Sequence, residues 1–295
     1  MKLAGTIVAA HGRQYRVELS TGEILLCFPR GKKSELACGD QVSIQRSGDA
    51  QGVVDSIAPR HTLLYRSNEF KQKLIAANVT QIIVVVATEP SFSDELITRC
   101  IVAAESQDMQ VLIILNKCDL SERVARTVPT LAPFEKLGYP LLRLSAHAGV
   151  QELLPYLSGH TSVLVGQSGM GKSTLTNALM PEANAPTREI SAALDSGKHT
   201  TTHATLYRLD SSSALIDSPG LQEFGLRHLS PNAIEHGFLE FRPLLGQCRF
   251  RNCRHDREPD CAIHYAAQHG VIDPRRYAAF RSLFAELGVP TGKQS

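Results

Sequence analysis

Residues 166–174 read GQSGMGKST, and well before them residues 115–120 read LNKCDL. The later stretch fits GxxxxGK[ST] between the strand-like TSVLV and the helical STLTNALM. In that setting glycines let backbone N–H groups face phosphate oxygens beside a helix N-terminus. Gly166, Gln167, Ser168, Gly169, Met170, Gly171 and Thr174 would then surround the phosphates of a nucleotide. Lys172 would reach the β and γ phosphates as the catalytic cation, and Ser173 would ligate Mg2+.

The earlier stretch leaves the end of the strand-like VLIIL, where ligands of open α/β sheets are expected. A carboxylate there accepts both N1–H and N2–H2 of guanine, a donor pair that adenine lacks. Asp119 therefore reads the base, Asn116 braces the loop, the Lys117 stem covers the ring, and Leu120 closes the motif. SAH at 145–147 ends another strand, with Ser145 beside the base and the Ala146 N–H closing over it. DSPG at 217–220 follows the strand-like SALI, so that Asp217 holds Mg2+ through water and the Gly220 N–H senses the γ-phosphate. A P-loop ATPase or small-molecule kinase would leave NKCD without a role; GTP gives every motif one. Since a site is assembled in space, a sheet whose ends lie close can be recut without moving it. The reversed motif order thus predicts a circularly permuted P-loop α/β GTPase domain.

Outward from these motifs, the apolar runs at 81–88, 110–115, 140–145 and 161–166 alternate with helical patterns near 92–107, 121–137, 149–157 and 172–180. That is the rhythm of a parallel sheet flanked by helices. Before it, GTIVAA, QYRVEL, EILLCF, DQVSIQ and GVVDSI form five short alternating stretches, the count of an OB-type β-barrel. RGKKSE at 30–35 would be a basic loop on it; a purely structural barrel fits the same stretches. Residues 182–202 read as a loop, and the chain from Pro231 reads as helical. The expected architecture is multidomain: an OB-fold RNA-binding domain over 1–70, a permuted GTPase domain over 71–230, and a zinc-binding helical domain over 231–295.

No apolar run reaches the ~20 residues of a membrane span, and the N-terminus lacks a secretory signal, so a cytoplasmic protein is expected. Residues 1–73 carry 11 Lys and Arg against 7 Asp and Glu, residues 74–241 carry 11 against 17, and residues 242–281 carry 8 against 4. Basic flanks around an acidic middle suit a polyanionic partner, although solvated faces also show such an excess. Cys27, Cys38, Cys100 and Cys118 are scattered and read as small buried hydrophobes. Cys248, Cys253, His255 and Cys261 lie within fourteen residues and offer the Cys3His set of one closed, structural Zn2+ site. Arg242, Arg249, Arg251, Arg254 and Arg257 lie around them and would face a phosphate backbone.

These features together resemble the bacterial small-ribosomal-subunit-dependent GTPases, the circularly permuted ribosome biogenesis GTPase A family. The likeness rests on NKCD before GQSGMGKST, GKHTTTH at 197–203, DSPG, and the Cys, Cys, His, Cys spacing, and it spans nearly the whole chain. It implies a GTP hydrolase in late maturation of the small ribosomal subunit, monomeric, without a membrane partner, binding the subunit and its rRNA and stimulated by it. GTP or GDP, Mg2+ and one structural Zn2+ are the implied cofactors. GKHTTTH is then the first switch, with a threonine among Thr200, Thr201 and Thr202 on Mg2+, Thr201 being the central one. Leu221 stands where many GTPases carry the glutamine that orients water, with Gln222 after it. An apolar residue cannot orient water, which leaves His199 or His203 as catalytic groups, or a site completed by the ribosome.

Overall fold

The computed structural model describes residues 2–31, 35–67, 72–180, 204–218 and 225–287. Several expectations therefore lie outside the described residues: the whole loop at 182–202, the switch residues His199, Thr200, Thr201, Thr202 and His203, Gly220, and the Leu221–Gln222 pair. The same holds for 32–34 of the basic loop.

Strands β1 (Lys2–His11), β2 (Gln14–Leu19), β3 (Ile24–Pro29), β4 (Gln41–Arg46) and β5 (Gln51–Ile57) bond in the order β1-β2-β3-β5-β4, and β4 returns to pair with β1. The result is a closed five-stranded barrel in which only β3 and β5 run parallel. Period-two alternation turns Tyr15, Val17, Leu25, Cys27, Val42, Ile44 and Val54 into one core. β1 serves two cores. Its register shifts between Ile7 and Ala9, so Ile7 fills the barrel while Val8 joins the core of the neighbouring sheet. Past the shift, Ala9 pairs with Thr205 of β12 (Thr205–Arg208), and Arg208 Nε donates to Glu18 at 3.0 Å. Barrel and parallel sheet are thereby one continuous ladder.

The second sheet runs β10 (Leu141–Arg143), β9 (Gln110–Asn116), β8 (Gln81–Ala87), β11 (Thr161–Val165), β13 (Ala214–Asp217), β12, and is parallel except at β12. Every residue of β8 is buried, which is why QIIVVVA shows no alternation: helices or loops cover both faces. The helices are α1 (Asp94–Glu105), α2 (Ser121–Lys136), the short α3 (Leu154–Leu157) and α4 (Lys172–Leu179). The helix expected over 149–157 is a 3-10 turn at Gln151–Leu153 running into α3. A hairpin of β6 (Leu63–Ser67) and β7 (Gln72–Ala77) stands apart as its own two-stranded sheet. The sequence reading placed a boundary there instead. Gln107 holds the hairpin by accepting from the Leu63 N–H at 2.7 Å and donating to its carbonyl at 3.2 Å.

The C-terminal part comprises α5 (Pro231–His236), a 3-10 turn at Leu239–Leu244, α6 (Ala262–Gln268) and α7 (Pro274–Glu286). Phe238, Phe241 and Phe280 pack with ring centroids 4.8–5.5 Å apart in the same core as Ile97, Ile101 and Val102 of α1. At this junction Arg276 is 2% exposed. It pairs with Glu240 at 2.7 and 3.0 Å, donates to Thr98 at 3.2 Å, and lies 4.6 Å from the Phe238 ring centre. No described helix is long and apolar enough to cross a membrane.

Candidate functional site

The phosphate-loop sequence links β11 to α4 at the C-terminal edge of the parallel sheet. Gly171, the residue before α4, sits at φ +90°, and a Cβ there would lie 2.2 Å from Asn116 Nδ2. Only glycine meets both demands. Asn116 ends β9, is buried, and its Nδ2 donates to the Met170 carbonyl at 2.9 Å while its Oδ1 accepts from the Ala146 N–H at 3.0 Å. One side chain thus joins the three loops that the sequence assigned to phosphate, base and base closure. The Ala146 amide, assigned to the base, is taken by Asn116, and the Met170 side chain packs into the apolar core, leaving only its backbone to line the loop.

Lys172 Nζ donates to the Gly166 and Gln167 carbonyls at 2.6 and 2.9 Å. Burial lowers its pKa, against the nearby charge of Asp217; burial likewise raises the Asp217 pKa, against Lys172. Each group is therefore desolvated beside its opposite, a setting suited to a phosphate and a divalent cation placed between them. Ser173 and Thr174 follow in the first turn of α4, Ser168 and Gly169 are exposed, and Asp217 closes β13.

On the base side, Ser145 Oγ donates to Asp119 Oδ1 at 2.7 Å. That bond, aided by a backbone N–H, holds the exposed Asp119 carboxyl below the usual carboxylate range. Lys117 adopts φ +61°, and its ammonium donates to the Glu89 carbonyl at 2.9 Å. Leu120 leads directly into α2. The sequence reading missed the segment 88–93, which covers the phosphate loop from the side: Thr88 Oγ1 donates to the Lys117 carbonyl at 3.3 Å, and the Ser93 N–H donates to Gln167 Oε1 at 2.9 Å. Its available signal was position, since it too leaves the C-terminal end of a strand.

The four cluster residues offer ligand atoms within 4.8 Å of one another. Cys248 Sγ lies 3.8 Å from Cys261 Sγ and 3.5 Å from His255 Nδ1, which is 3.4 Å from Cys261 Sγ. A zinc tetrahedron with bonds of ~2.3 Å to sulfur and ~2.0 Å to nitrogen has edges of about 3.8 and 3.5 Å, so the donor set fits zinc. The other ring nitrogen of His255 faces Glu235 Oε1 at 3.7 Å, an arrangement typical of metal-bound imidazoles. Burial pushes the Cys253 and Cys261 thiols up and His255 down; a divalent cation would favour the thiolates instead. Two of the five arginines assigned to a phosphate-facing surface have protein partners. Arg242 donates to Glu105 at 2.7 Å and to the His236 carbonyl at 2.8 Å, and Arg249 pairs with Asp260 at 3.1 Å.

A sequence profile of the RsgA GTPase family matches residues 57–227. A Nitrosospira multiformis protein named small ribosomal subunit biogenesis GTPase RsgA is 53% identical over 285 residues, covering 97% of this chain and 91% of the relative. A protein of the same name from Burkholderia pseudomallei is 51% identical over 287 residues, covering 96% and 91%. Among solved structures, YjeQ from Thermotoga maritima aligns with a TM-score of 0.74 at 29% identity, covering 98% of this chain and all of that one. YloQ, described as a circularly permuted GTPase, aligns with a TM-score of 0.71 at 25% identity, covering 100% and 98%.

Proposed function

Because the chain belongs to the RsgA GTPase family, whose members hydrolyse GTP, we propose that it is a late maturation factor of the small ribosomal subunit, binding rRNA and hydrolysing GTP faster on the subunit than alone. The name borne by its relatives points to that particle. The observation that carries the site is Asn116, which ties the base loop to the phosphate loop across 54 residues of reversed chain order.

In this reading residues 1–70 are the RNA-contacting barrel, 71–230 the permuted GTPase unit and 231–295 a zinc-held helical unit, acting as a cytoplasmic monomer. Guanine lies between the Lys117 stem and the 145–146 loop, with its N1–H and N2–H2 on Asp119. The backbone of 166–174 holds the phosphates, and Gly220 meets the γ-phosphate. Ser173, Asp217 and Thr201 would hold Mg2+, whose chemistry is to neutralise charge on the β and γ oxygens. Cys248, Cys253, His255 and Cys261 would hold one structural Zn2+. Lys172 offsets charge on the transferring phosphoryl, and because it is desolvated its field is stronger than in water. His199 and His203 are the candidates to orient the attacking water.

Replacing Asp119 by Asn exchanges two acceptors for one acceptor and one donor. Asp119→Asn is expected to weaken GTP use by at least about a hundredfold, roughly 3 kcal/mol, and to admit xanthosine triphosphate in its place. Steady-state hydrolysis of both nucleotides measures this. Unchanged GTP use by the variant would overturn the assignment of the base loop.

A further inference from the structure

The segment 88–93 is unused by the nucleotide chemistry above, yet it touches the phosphate loop at several points. Pro90 packs against Gly169, where an added Cβ would meet its ring at 3.3 Å. Glu89 receives the Lys117 ammonium on its carbonyl and pairs through its carboxylate with Arg123. The directional contact is that of Gln167, whose Oε1 accepts the Ser93 N–H at 2.9 Å. Ser93 is the N-cap residue just before α1, and its own side chain makes no capping bond. Gln167 therefore satisfies an N–H at the start of α1, where the helix supplies no acceptor of its own.

The same helix carries the C-terminal unit. Arg99 bridges Glu95 and Glu286 of α7, Ser282 donates to Glu95 at 3.2 Å, Arg275 to Asp94 at 2.7 Å, and Arg276 to Thr98 at 3.2 Å. The N-terminal half of α1, from Asp94 to Arg99, is thus gripped by α7, and the phosphate loop holds its N-cap, Ser93. A rigid element held at two places carries a shift at one to the other.

We propose that Gln167 is a positioning residue for GTP hydrolysis: through the Ser93 amide it fixes the phosphate loop to α1, so that the seating of α7 on α1 sets the geometry of the loop. The inference rests on reading 166–174 as the phosphate loop and is independent of the ribosomal partner.

The test is steady-state GTP turnover of the full chain without ribosomal subunits, for the wild type, Gln167→Met, Glu286→Ala and the double variant, with thermal midpoints alongside. Gln167→Met keeps the volume and removes the acceptor; it is expected to lower kcat about tenfold with KM within about twofold. Glu286→Ala is expected to lower kcat about threefold alone and to add nothing in the Gln167→Met background, whereas distant independent sites multiply. If Gln167→Met does not fold, Gln167→Glu keeps an oxygen acceptor at the same reach and should recover kcat. Wild-type kcat in Gln167→Met, a rise in KM alone, multiplying effects, or a Glu variant as impaired as the Met variant would each overturn the inference. A wild type without GTP turnover would instead overturn the nucleotide reading beneath it.

Discussion

Asn116 shows how much one buried amide can hold. Its two bonds reach the phosphate loop and the 145–147 loop, and truncation would leave the Met170 carbonyl and the Ala146 N–H without their partner. At about 1–3 kcal/mol per unsatisfied buried group, Asn116→Ala should weaken GDP binding at least tenfold while the secondary structure, followed by circular dichroism, stays the same; unaltered affinity would remove Asn116 from the site. Ser145 acts on charge. It stabilises the ionised form of Asp119, so the proposed guanine binding is expected to persist above that depressed pKa and to be lost as pH falls through it. Ser145→Ala lets the pKa return upward, and the acid limb of GDP affinity, titrated by fluorescence, should move to higher pH; a limb that stays put would show that Ser145 does not set it. At this scale the motifs that meet at the C-terminal edge of the sheet were legible because each is a contiguous string. Arg242 was not, since its carboxylate partner Glu105 lies 137 positions away in sequence.

Among elements, the junction between barrel and sheet depends on backbone contact. Gly39 has φ +91°, and a Cβ there would lie 2.2 Å from the Ala77 carbonyl oxygen. Just beside it, Asp40, fully buried, pairs with Arg60 at 2.7 Å and accepts the Ala37 N–H at 2.7 Å. Gly39→Ala cannot satisfy both the conformation and the contact, and a loss of at least about 2 kcal/mol in urea unfolding is expected; a change below ~0.5 kcal/mol would show that the junction yields. Chelation should free one zinc per chain and increase amide exchange across 248–264 first, because few apolar contacts hold that segment without its ligands. Global unfolding without such local loosening would contradict this. Alternation revealed the barrel strands and continuous apolar runs revealed the parallel ones. The β6–β7 hairpin escaped because the side chain that anchors it at Leu63, Gln107, lies 44 positions away in sequence. The strand β12 escaped because its four residues carry no periodic signal and its pairing with β1 is non-local.

As a whole the molecule joins its three parts more closely than their sequence boundaries suggest. β1 and β12 share a ladder, and Val8, Ile101 and Phe280 belong to one core. The buried Arg276 sits where the C-terminal helices meet α1 and α2, over both Phe134 and Phe238. Arg276→Ala would leave Glu240 buried without its partner, at a cost of about 3–5 kcal/mol, while Arg276→Met, which refills the volume, should cost no more than the alanine variant; equal stability of all three by thermal unfolding would deny the residue that role. The order of parts was readable from motif positions, but their fusion was not, because it depends on side chains that meet only after folding. A body so joined would pass the state of the nucleotide to the surfaces proposed to face RNA, and the most direct test of that account is GTP turnover by the purified chain with and without mature small ribosomal subunits at matched low salt. The account predicts a large, GTP-specific rise with subunits; subunits that bind while the rate stays unchanged, or that neither bind nor stimulate, would contradict it.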